Sequence, residues 1–300
     1  MRFGLCCLFM AEPVSFRTTT AKVLSTLVRA DALDKASGIC LHNARNLLLA
    51  VQACQRLGIG AFRVSSPLFP RMTHPEVGYR LDDLPDADAI SSTLAAVRDF
   101  AQASDIRLSF HPDQFVVLSS PHAHVVDSSV RELTYHAFLA EQIGADVINI
   151  HGGGVYGDKD AALARLAAVY RNLPASVASR LTLENDDVSY TVRDLLPTCR
   201  DLGIPLVYDV HHHRCNPDGL NEDEATEQAA ATWQGREQYC HLSSPRAGWK
   251  GNPKPHADYI DPADVPACWR QRLMTVDVEA KAKELAVVRL MRDLTSAADT

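Results

Sequence analysis

Six short apolar runs in this chain each end on a histidine or a carboxylate. The residues at these ends are His111, His151, Glu184, Asp209 with His212, His241 and Glu279. Imidazole nitrogen and carboxylate oxygen bind divalent metal ions and transfer protons. If the runs are parallel strands of a barrel, their carboxyl ends meet at one mouth, however far apart they lie in the sequence. The recurrence therefore predicts a metal site at that mouth.

The donor set also limits the kind and number of metal ions. Mixed nitrogen and oxygen donors suit Zn²⁺ or Mn²⁺ better than Ca²⁺ or Mg²⁺, which favour oxygen. One metal ion takes three or four ligands from protein, and this set is larger, so we expect two or three metal ions. A purely structural role would bury carboxylates without partners, which is unfavourable.

The run from Asp209 to His213 allows two interpretations. On a strand, alternate side chains point the same way, so Asp209, His211 and His213 would share one face. If the strand ends near Val210, that alternation fails and His212 is the candidate ligand. The other histidines of helices and outer loops are expected to be surface or capping residues; these are His42, His122, His124 and His136.

Strand-like and helix-like segments alternate along the whole chain, as in an α/β fold. The predicted strands are residues 2–9, 61–64, 107–110, 146–150, 181–184, 205–210, 238–242 and 274–279. The predicted helices are residues 40–57, 89–104, 126–143, 158–172, 191–202, 222–234, 262–271 and 281–294. Eight units of each kind, without a G-x-G-x-x-G after the first strand, indicate a (β/α)8 TIM barrel rather than a dinucleotide-binding sheet. We expect one barrel domain over residues 1–300, with long loops at 12–37, 65–88 and 243–260 on the catalytic face.

Composition is that of a soluble globular enzyme, with 46% hydrophobic and 22% charged residues. A net charge of −7 argues against non-specific nucleic-acid binding driven by overall charge, although a local basic groove remains compatible with it. The eight cysteines form no C-x-x-C pair, which predicts reduced thiols and a cytoplasmic chain. No apolar stretch is long enough to span a membrane. We expect a monomer.

Two groups of loop residues could contact a ligand at the mouth. Arg246, Lys250 and Lys254 either belong to an ordinary solvated loop or ring the pocket and hold a phosphate backbone. Gln114 and Phe115 follow His111 and either pack within the loop or probe a stack of bases.

Seven segments, FRVSSPLFP, LSFHPDQFV, INIHGGGVYGDK, LTLENDD, IPLVYDVHHH, HLSSP and VEAKAKE, occur in this order in the chain. Together they resemble the UV-damage endonuclease family, metal-dependent (β/α)8-barrel DNA repair nucleases related to endonuclease IV. The resemblance runs from about residue 40 to residue 285. It implies metal ligands at His74, His111, His151, Glu184, Asp209, His212, His241, His256 and Glu279. It also implies three divalent metal ions, with Mn²⁺ the usual candidate and Zn²⁺ or Mg²⁺ as alternatives.

The resemblance implies damaged double-stranded DNA as substrate and a nick on the 5′ side of the lesion, with UV photoproducts as the first class of lesion and abasic sites as a second. Glu184, His241, Glu279 and Lys281 would be the catalytic residues, although Lys281 could equally be a surface lysine. Gln114 and Phe115 match a Gln-Tyr pair that family members push into the duplex. Arg246, Lys250 and Lys254 would contact the DNA backbone.

Three residues depart from the family pattern. Leu5 and Phe9 stand where members often carry a Tyr and an Asn, and Tyr239 stands where some members have a modified lysine that bridges metals. The barrel type and these departures leave two other functions as alternatives. One is a sugar isomerase or epimerase of the xylose-isomerase barrel type, and the other is a family member that has lost lesion-specific nicking.

Overall fold

Eight parallel strands close into a barrel in chain order, in a computed structural model that describes residues 1–296. The strands are β1 (Arg2–Cys6), β2 (Ala61–Val64), β3 (Arg107–Phe110), β4 (Val147–His151), β5 (Leu181–Glu184), β6 (Leu206–Asp209), β7 (Gln238–Leu242) and β8 (Met274–Val278). Helices cover their outer faces, and almost every strand residue is buried, as expected of a parallel sheet covered on both sides. The predicted (β/α)8 TIM barrel is confirmed. That residues 1–300 form one domain remains a prediction.

Ten α-helices are described in residues 1–296. They are α1 (Ala21–Ser25), α2 (Arg29–Arg56), α3 (Ala87–Ala103), α4 (Ala123–Ile143), α5 (Lys159–Tyr170), α6 (Ala175–Ala178), α7 (Val192–Leu202), α8 (Val210–Cys215), α9 (Glu222–Ala231) and α10 (Lys283–Ser296). Gly144 and Gly203 end α4 and α7 with φ angles of 76° and 68°, a left-handed conformation that suits glycine. Both helices therefore end where the next strand can begin.

The predicted loop over residues 12–37 is wrong from residue 21 onward. Helix α1 lies inside it, and α2 begins at Arg29, well before the predicted start at residue 40. This first part of α2 buries Ala32 and Ala36, small residues that fit a close helix contact but give little apolar periodicity in the sequence. The predicted loop 65–88 likewise contains a 3-10 turn at Leu81–Asp83 and the start of α3.

The predicted helix over residues 262–271 is also wrong. Two 3-10 turns, Pro262–Asp264 and Ala267–Trp269, occupy this segment. Pro266 between them has no backbone N–H to donate and would clash with a preceding turn, so an α-helix cannot continue through it.

The strand register places chemically reactive residues side by side at the carboxyl end of the barrel. His151 pairs with Glu184 across β4 and β5, and Asp209 pairs with His241 across β6 and β7. All eight cysteines are free thiols, as predicted. Among the helices of residues 1–296, none is long and apolar enough to cross a membrane.

Candidate metal centre at the barrel mouth

Glu184 is the central residue of the barrel mouth. It is the last residue of β5 and is 1% exposed. Its Oε2 lies 3.0 Å from His111 Nε2, and its Oε1 lies 3.0 Å from His241 Nδ1 and 3.3 Å from His212 Nδ1. Three histidines from separate parts of the chain thus converge on one buried carboxylate, as the strand-end pattern predicts.

Within residues 1–296, two groups of side chains have the spacing of metal ligands, and both contain Glu184. One is His111, His151 and Glu184, and the other is Glu184, Asp209 and His212, with ligand atoms within 4.8 Å of one another in each. Two buried atoms in these groups, His151 Nδ1 and Asp209 Oδ2, have no hydrogen-bond partner. Buried polar atoms without partners are unfavourable, and a bound divalent cation would satisfy both. The residues therefore fit a metal centre.

The end of β6 decides between the two interpretations of the triple-histidine run. The strand stops at Asp209, whose side chain accepts a hydrogen bond of 2.7 Å from the N–H of His212 and caps α8. This turn carries His212 to the centre. His211 is buried beside Trp249, with ring centroids 5.3 Å apart, and His213 hydrogen-bonds the Tyr208 hydroxyl at 2.6 Å. The interpretation in which Asp209, His211 and His213 share one face is thus wrong.

Glu279 and His256 extend the cluster on the side of β8. Glu279 Oε1 lies 3.6 Å from His241 Nδ1, and its Oε2 lies 3.7 Å from His256 Nδ1. His256 belongs to the loop after β7, which is held by an isolated bridge between His256 and Pro245. Of the nine residues that the resemblance implies as ligands, eight are thus gathered at one mouth; their role as ligands remains a prediction.

His74 is the ninth, and it lies in the loop after β2. Its Nδ1 accepts backbone N–H groups of Glu76 and Val77 at 3.2 and 3.3 Å. It lines a cavity of about 740 Å³ together with His111 and Phe115, but it joins neither ligand group in the described part of the chain. His136, expected at the surface, also lines this cavity and is 2% exposed, so that expectation is wrong. Burial lowers its pKa to about 4 and keeps the ring neutral.

A layer of buried polar side chains lies directly below the candidate ligands. Its members are Ser109, Asn149, Thr182, Tyr239 and Asp277, each two residues before a strand-end candidate. Thr182 donates to Asn149 at 2.9 Å, and the Asn149 amide donates to Glu184 Oε2. Such partners fix the orientation of ligating side chains. The sequence analysis missed this layer, although the two-residue period of a strand gives its positions.

Arg63, on β2, is the most important residue that the sequence analysis missed. Its side chain is 10% exposed and lies among three groups of the mouth. Nε lies 2.8 Å from Asp277 Oδ2, Nη1 lies 2.7 Å from Glu279 Oε1, and Nη2 donates to His241 Nε2 at 3.0 Å. A charged residue inside a fully buried strand needs a buried partner of opposite charge. The arginine within the apolar strand at residues 61–64 could therefore have indicated such a partner from the sequence.

Charges in the cluster shift several pKa values. Burial lowers the pKa of His212, but the negative charges of Asp209 and Glu184 outweigh burial and raise it well above its usual range. Burial would raise the pKa of Glu184, but His241, His151 and hydrogen bonds from two histidines hold it well below its usual range. For His111, burial dominates and lowers the pKa. The protein therefore carries a protonated His212 beside an ionised Glu184 near neutral pH.

This protonation predicts that metal binding releases protons. A histidine ligates through an unprotonated nitrogen, so a metal ion must displace the His212 proton, and affinity should rise with pH. The same proton affects the stability of the metal-free protein. Because folding raises the pKa of His212, its stabilising contribution is fully present below the unfolded pKa of about 6.5, and it disappears as pH rises through the folded pKa. Calorimetric Mn²⁺ titrations at neutral pH in two buffers of different ionisation enthalpy should show net proton release. Binding without proton release would contradict the ligand role of His212.

The predicted DNA-binding residues are all exposed, but they differ in the contacts that they make within the protein. Arg246 and Lys250 lie in the loop after β7, while Lys254 pairs with Asp187 Oδ2 at 3.1 Å. Gln114 and Phe115 lie in the loop after β3, where Phe115 is 77% exposed. Lys281 is exposed, and its backbone N–H donates to the carbonyl of Ala257. The structure thus places these side chains on the side of the mouth without assigning them a ligand.

The three departures from the family pattern have packing roles. Leu5 is fully buried in the core, and Phe9 stacks on Phe62 with ring centroids 5.8 Å apart. The hydroxyl of Tyr239 bonds Ser109 Oγ and Asp277 Oδ1, each at 2.8 Å. Leu5 on β1 and Phe9 just after it therefore provide apolar packing.

Comparisons with known proteins give one consistent result. The model of the family described as UV-endonuclease UvdE matches residues 1–300. A UV DNA damage endonuclease of Bacillus velezensis is 33% identical over 310 residues, covering 98% of this chain and 94% of the relative. A UV-damage endonuclease of Schizosaccharomyces pombe is 36% identical over 313 residues, and here the match covers 97% of this chain but only 50% of the relative.

Solved structures agree with the sequence comparisons. The crystal structure of SacUVDE superposes with a TM-score of 0.85 at 28% identity and 100% coverage of both chains. Endonuclease IV from Thermus thermophilus and D-psicose 3-epimerase from Clostridium cellulolyticum give TM-scores of 0.62 and 0.57 at 16% and 10% identity. The first match covers 99% of this chain and 100% of the other, and the second covers 100% and 97%. These two share the fold alone, and since one is a nuclease and the other an epimerase, the fold does not decide the reaction.

Proposed function

Because the chain belongs to the UV-endonuclease UvdE family, we propose that it is a metal-dependent DNA repair endonuclease that nicks damaged double-stranded DNA on the 5′ side of the lesion. The observation that carries this proposal is Glu184, a buried carboxylate shared by two groups with metal-ligand spacing. UV photoproducts are the proposed lesions, with abasic sites as a second class. Three divalent ions, with Mn²⁺ first and Zn²⁺ or Mg²⁺ next, are the proposed cofactors.

The chain's own residues would divide the work of phosphodiester hydrolysis. Divalent ions held by these residues would supply an activated water at neutral pH and would neutralise charge on the phosphate. Glu184, Asp209 and the surrounding histidines hold that charge at the barrel mouth, and Glu279 completes the cluster beside His241. His74 and His256 are proposed to complete the ligand set from the loops, and Lys281 to contact a phosphate or orient Glu279. Arg246, Lys250 and Lys254 provide positive charge for the DNA backbone.

Lesion recognition is proposed to use Gln114 and Phe115. An exposed aromatic side chain beside the mouth can insert between bases, and a damaged duplex deforms more readily than an intact one. Selection of the lesion would then depend on how easily the DNA duplex deforms rather than on the identity of the damaged base.

One assay tests the proposed activity. Purified protein is incubated with Mn²⁺ and a UV-irradiated duplex oligonucleotide, a second duplex with an abasic site, and an undamaged duplex. We expect a nick 5′ to the lesion in the damaged duplexes only. Turnover of a ketose or aldose without any nick would favour the epimerase alternative, and a metal-loaded protein inactive on both would favour a family member without lesion-specific nicking.

Phe115→Ala tests the recognition step separately from the chemistry. Loss of one stacking side chain should weaken binding of the damaged duplex by about 1–3 kcal/mol. Mn²⁺ content should stay unchanged, since Phe115 belongs to neither ligand group. Fluorescence anisotropy with a lesion-containing duplex measures the effect. Leu273→Ala is the matched control, because Leu273 is 91% exposed just before β8, at the opposite end of the barrel. Equal affinities of Phe115→Ala and the control would exclude insertion of Phe115.

A further inference from the structure

Asp277 occupies a space that the barrel leaves free for it. It lies on β8 two residues before Glu279, and its side chain is fully buried below the mouth. The backbone of Gly4 on β1 passes so close that an added Cβ atom would lie 2.2 Å from Asp277 Oδ1. Any larger residue at position 4 would therefore have to displace this carboxylate.

Both oxygens of Asp277 are engaged, and they connect two strands. Oδ1 accepts the Tyr239 hydroxyl at 2.8 Å, and Oδ2 accepts Arg63 Nε at 2.8 Å. Tyr239 is a neutral phenol at neutral pH. At this level of the barrel the negative charge therefore comes from β8, while β7 supplies only a hydroxyl.

The orientation of Arg63 follows from this anchor. With Nε on Asp277, the planar guanidinium directs Nη1 to Glu279 Oε1 at 2.7 Å and Nη2 to His241 Nε2 at 3.0 Å. A guanidinium only donates, so His241 Nε2 presents its lone pair to Arg63. On the other side of the ring, His241 Nδ1 lies 3.0 Å from Glu184 Oε1. Asp277 thus controls, through Arg63, how two candidate ligands face the centre.

Asp277 acts on His241 through Arg63 and not by direct contact. Its Oδ2 lies 4.0 Å from His241 Nε2, beyond hydrogen-bond distance, whereas Arg63 Nη2 lies 3.0 Å from the same nitrogen.

We propose that Asp277 is a positioning residue of the metal centre, which with Tyr239 anchors Arg63 and so fixes the orientation of Glu279 and His241. The inference rests on the proposed function, since it concerns how the same centre receives divalent ions. Asp277 touches neither substrate nor metal in this role and acts through its neighbours.

Mn²⁺ affinity tests the proposal independently of nicking. Asp277→Asn, Tyr239→Phe and Gly4→Ala each disturb the anchor from a different strand, and Thr275→Val serves as control. Thr275 is buried on the same strand two residues earlier, and it hydrogen-bonds Glu237 and Arg107 away from the mouth. Free Mn²⁺ is measured by electron paramagnetic resonance during titration, and the melting temperature of each metal-free protein is measured in parallel.

We expect Asp277→Asn to bind Mn²⁺ about 10- to 100-fold more weakly, the usual effect of losing an outer partner of a ligand. Tyr239→Phe and Gly4→Ala should change affinity in the same direction, while Thr275→Val lowers only the melting temperature. Native affinity in Asp277→Asn would overturn the proposal, and so would losses that merely follow melting temperature across all four variants. If Asp277→Asn does not fold, Tyr239→Phe and Gly4→Ala decide by the same criteria.

The two proposals fail in different ways. A native chain that binds Mn²⁺ and nicks damaged DNA, with Asp277→Asn equal to it in Mn²⁺ affinity, refutes the positioning role alone. A native chain that takes up no Mn²⁺ refutes both proposals.

Discussion

Glu184→Gln should abolish nicking of a UV-irradiated duplex and remove most of the bound Mn²⁺. The carboxylate belongs to both ligand groups, so one substitution removes a charged ligand from each. We expect the rate of nicking to fall by more than about 100-fold. Losing a residue that only hydrogen-bonds a ligand typically costs roughly 10- to 100-fold, and Glu184 is itself a proposed ligand. Gel assays of single-turnover cleavage and elemental analysis of the dialysed protein measure the two effects.

Glu237→Gln is the matched control for this prediction. Glu237 lies just before β7, at the opposite end of the barrel, where it pairs with Arg2 at 3.0 Å. The control should nick as the native protein does and keep its Mn²⁺. Retained activity in Glu184→Gln would refute the central role of this carboxylate.

Arg63→Met should produce the largest loss of stability among substitutions at the mouth. Removing the guanidinium leaves the buried Asp277 and the half-buried Glu279 without their cation. Breaking a buried ion pair by removing one partner destabilises a protein by about 3–5 kcal/mol. We expect a loss of this size in urea unfolding of the EDTA-treated protein.

Added Mn²⁺ should stabilise Arg63→Met as a ligand that binds only the folded state, because positive charge at the centre replaces part of what was removed. Arg98→Met is the control: its pair with Asp99 spans 3.4 Å at the surface, where such pairs contribute about 0–1 kcal/mol. A loss below about 1 kcal/mol in Arg63→Met would show that Asp277 and Glu279 are hydrated or protonated instead.

The strands and their terminal residues could be predicted because parallel strands are short, apolar and buried on both faces. A polar residue at the end of such a run stands out, and the positions of His151, Glu184 and Asp209 followed from that contrast. Interior polar residues were harder to interpret. Arg63 and Asp277 look like interruptions of apolar strands, and their meaning depends on a partner 214 positions away.

Loops and short helices were predicted less well, for reasons that differ between segments. The early start of α2 depends on alanines that pack closely, and α8 exists because Asp209 caps its first turn. The placement of His74 depends on backbone N–H groups of its own loop, which the residue types do not reveal. Family resemblance identified His212 where strand periodicity left two alternatives.

Closure of the barrel has a consequence for the order of events during synthesis. Strand β8 pairs with β1 through residues 275 to 278, and it is followed at once by Glu279. While the ribosome is still translating the segment before β8, a nascent chain has Glu184 and its histidines but neither Asp277 nor Glu279. The centre proposed here thus cannot be complete before the final strand has emerged and docked.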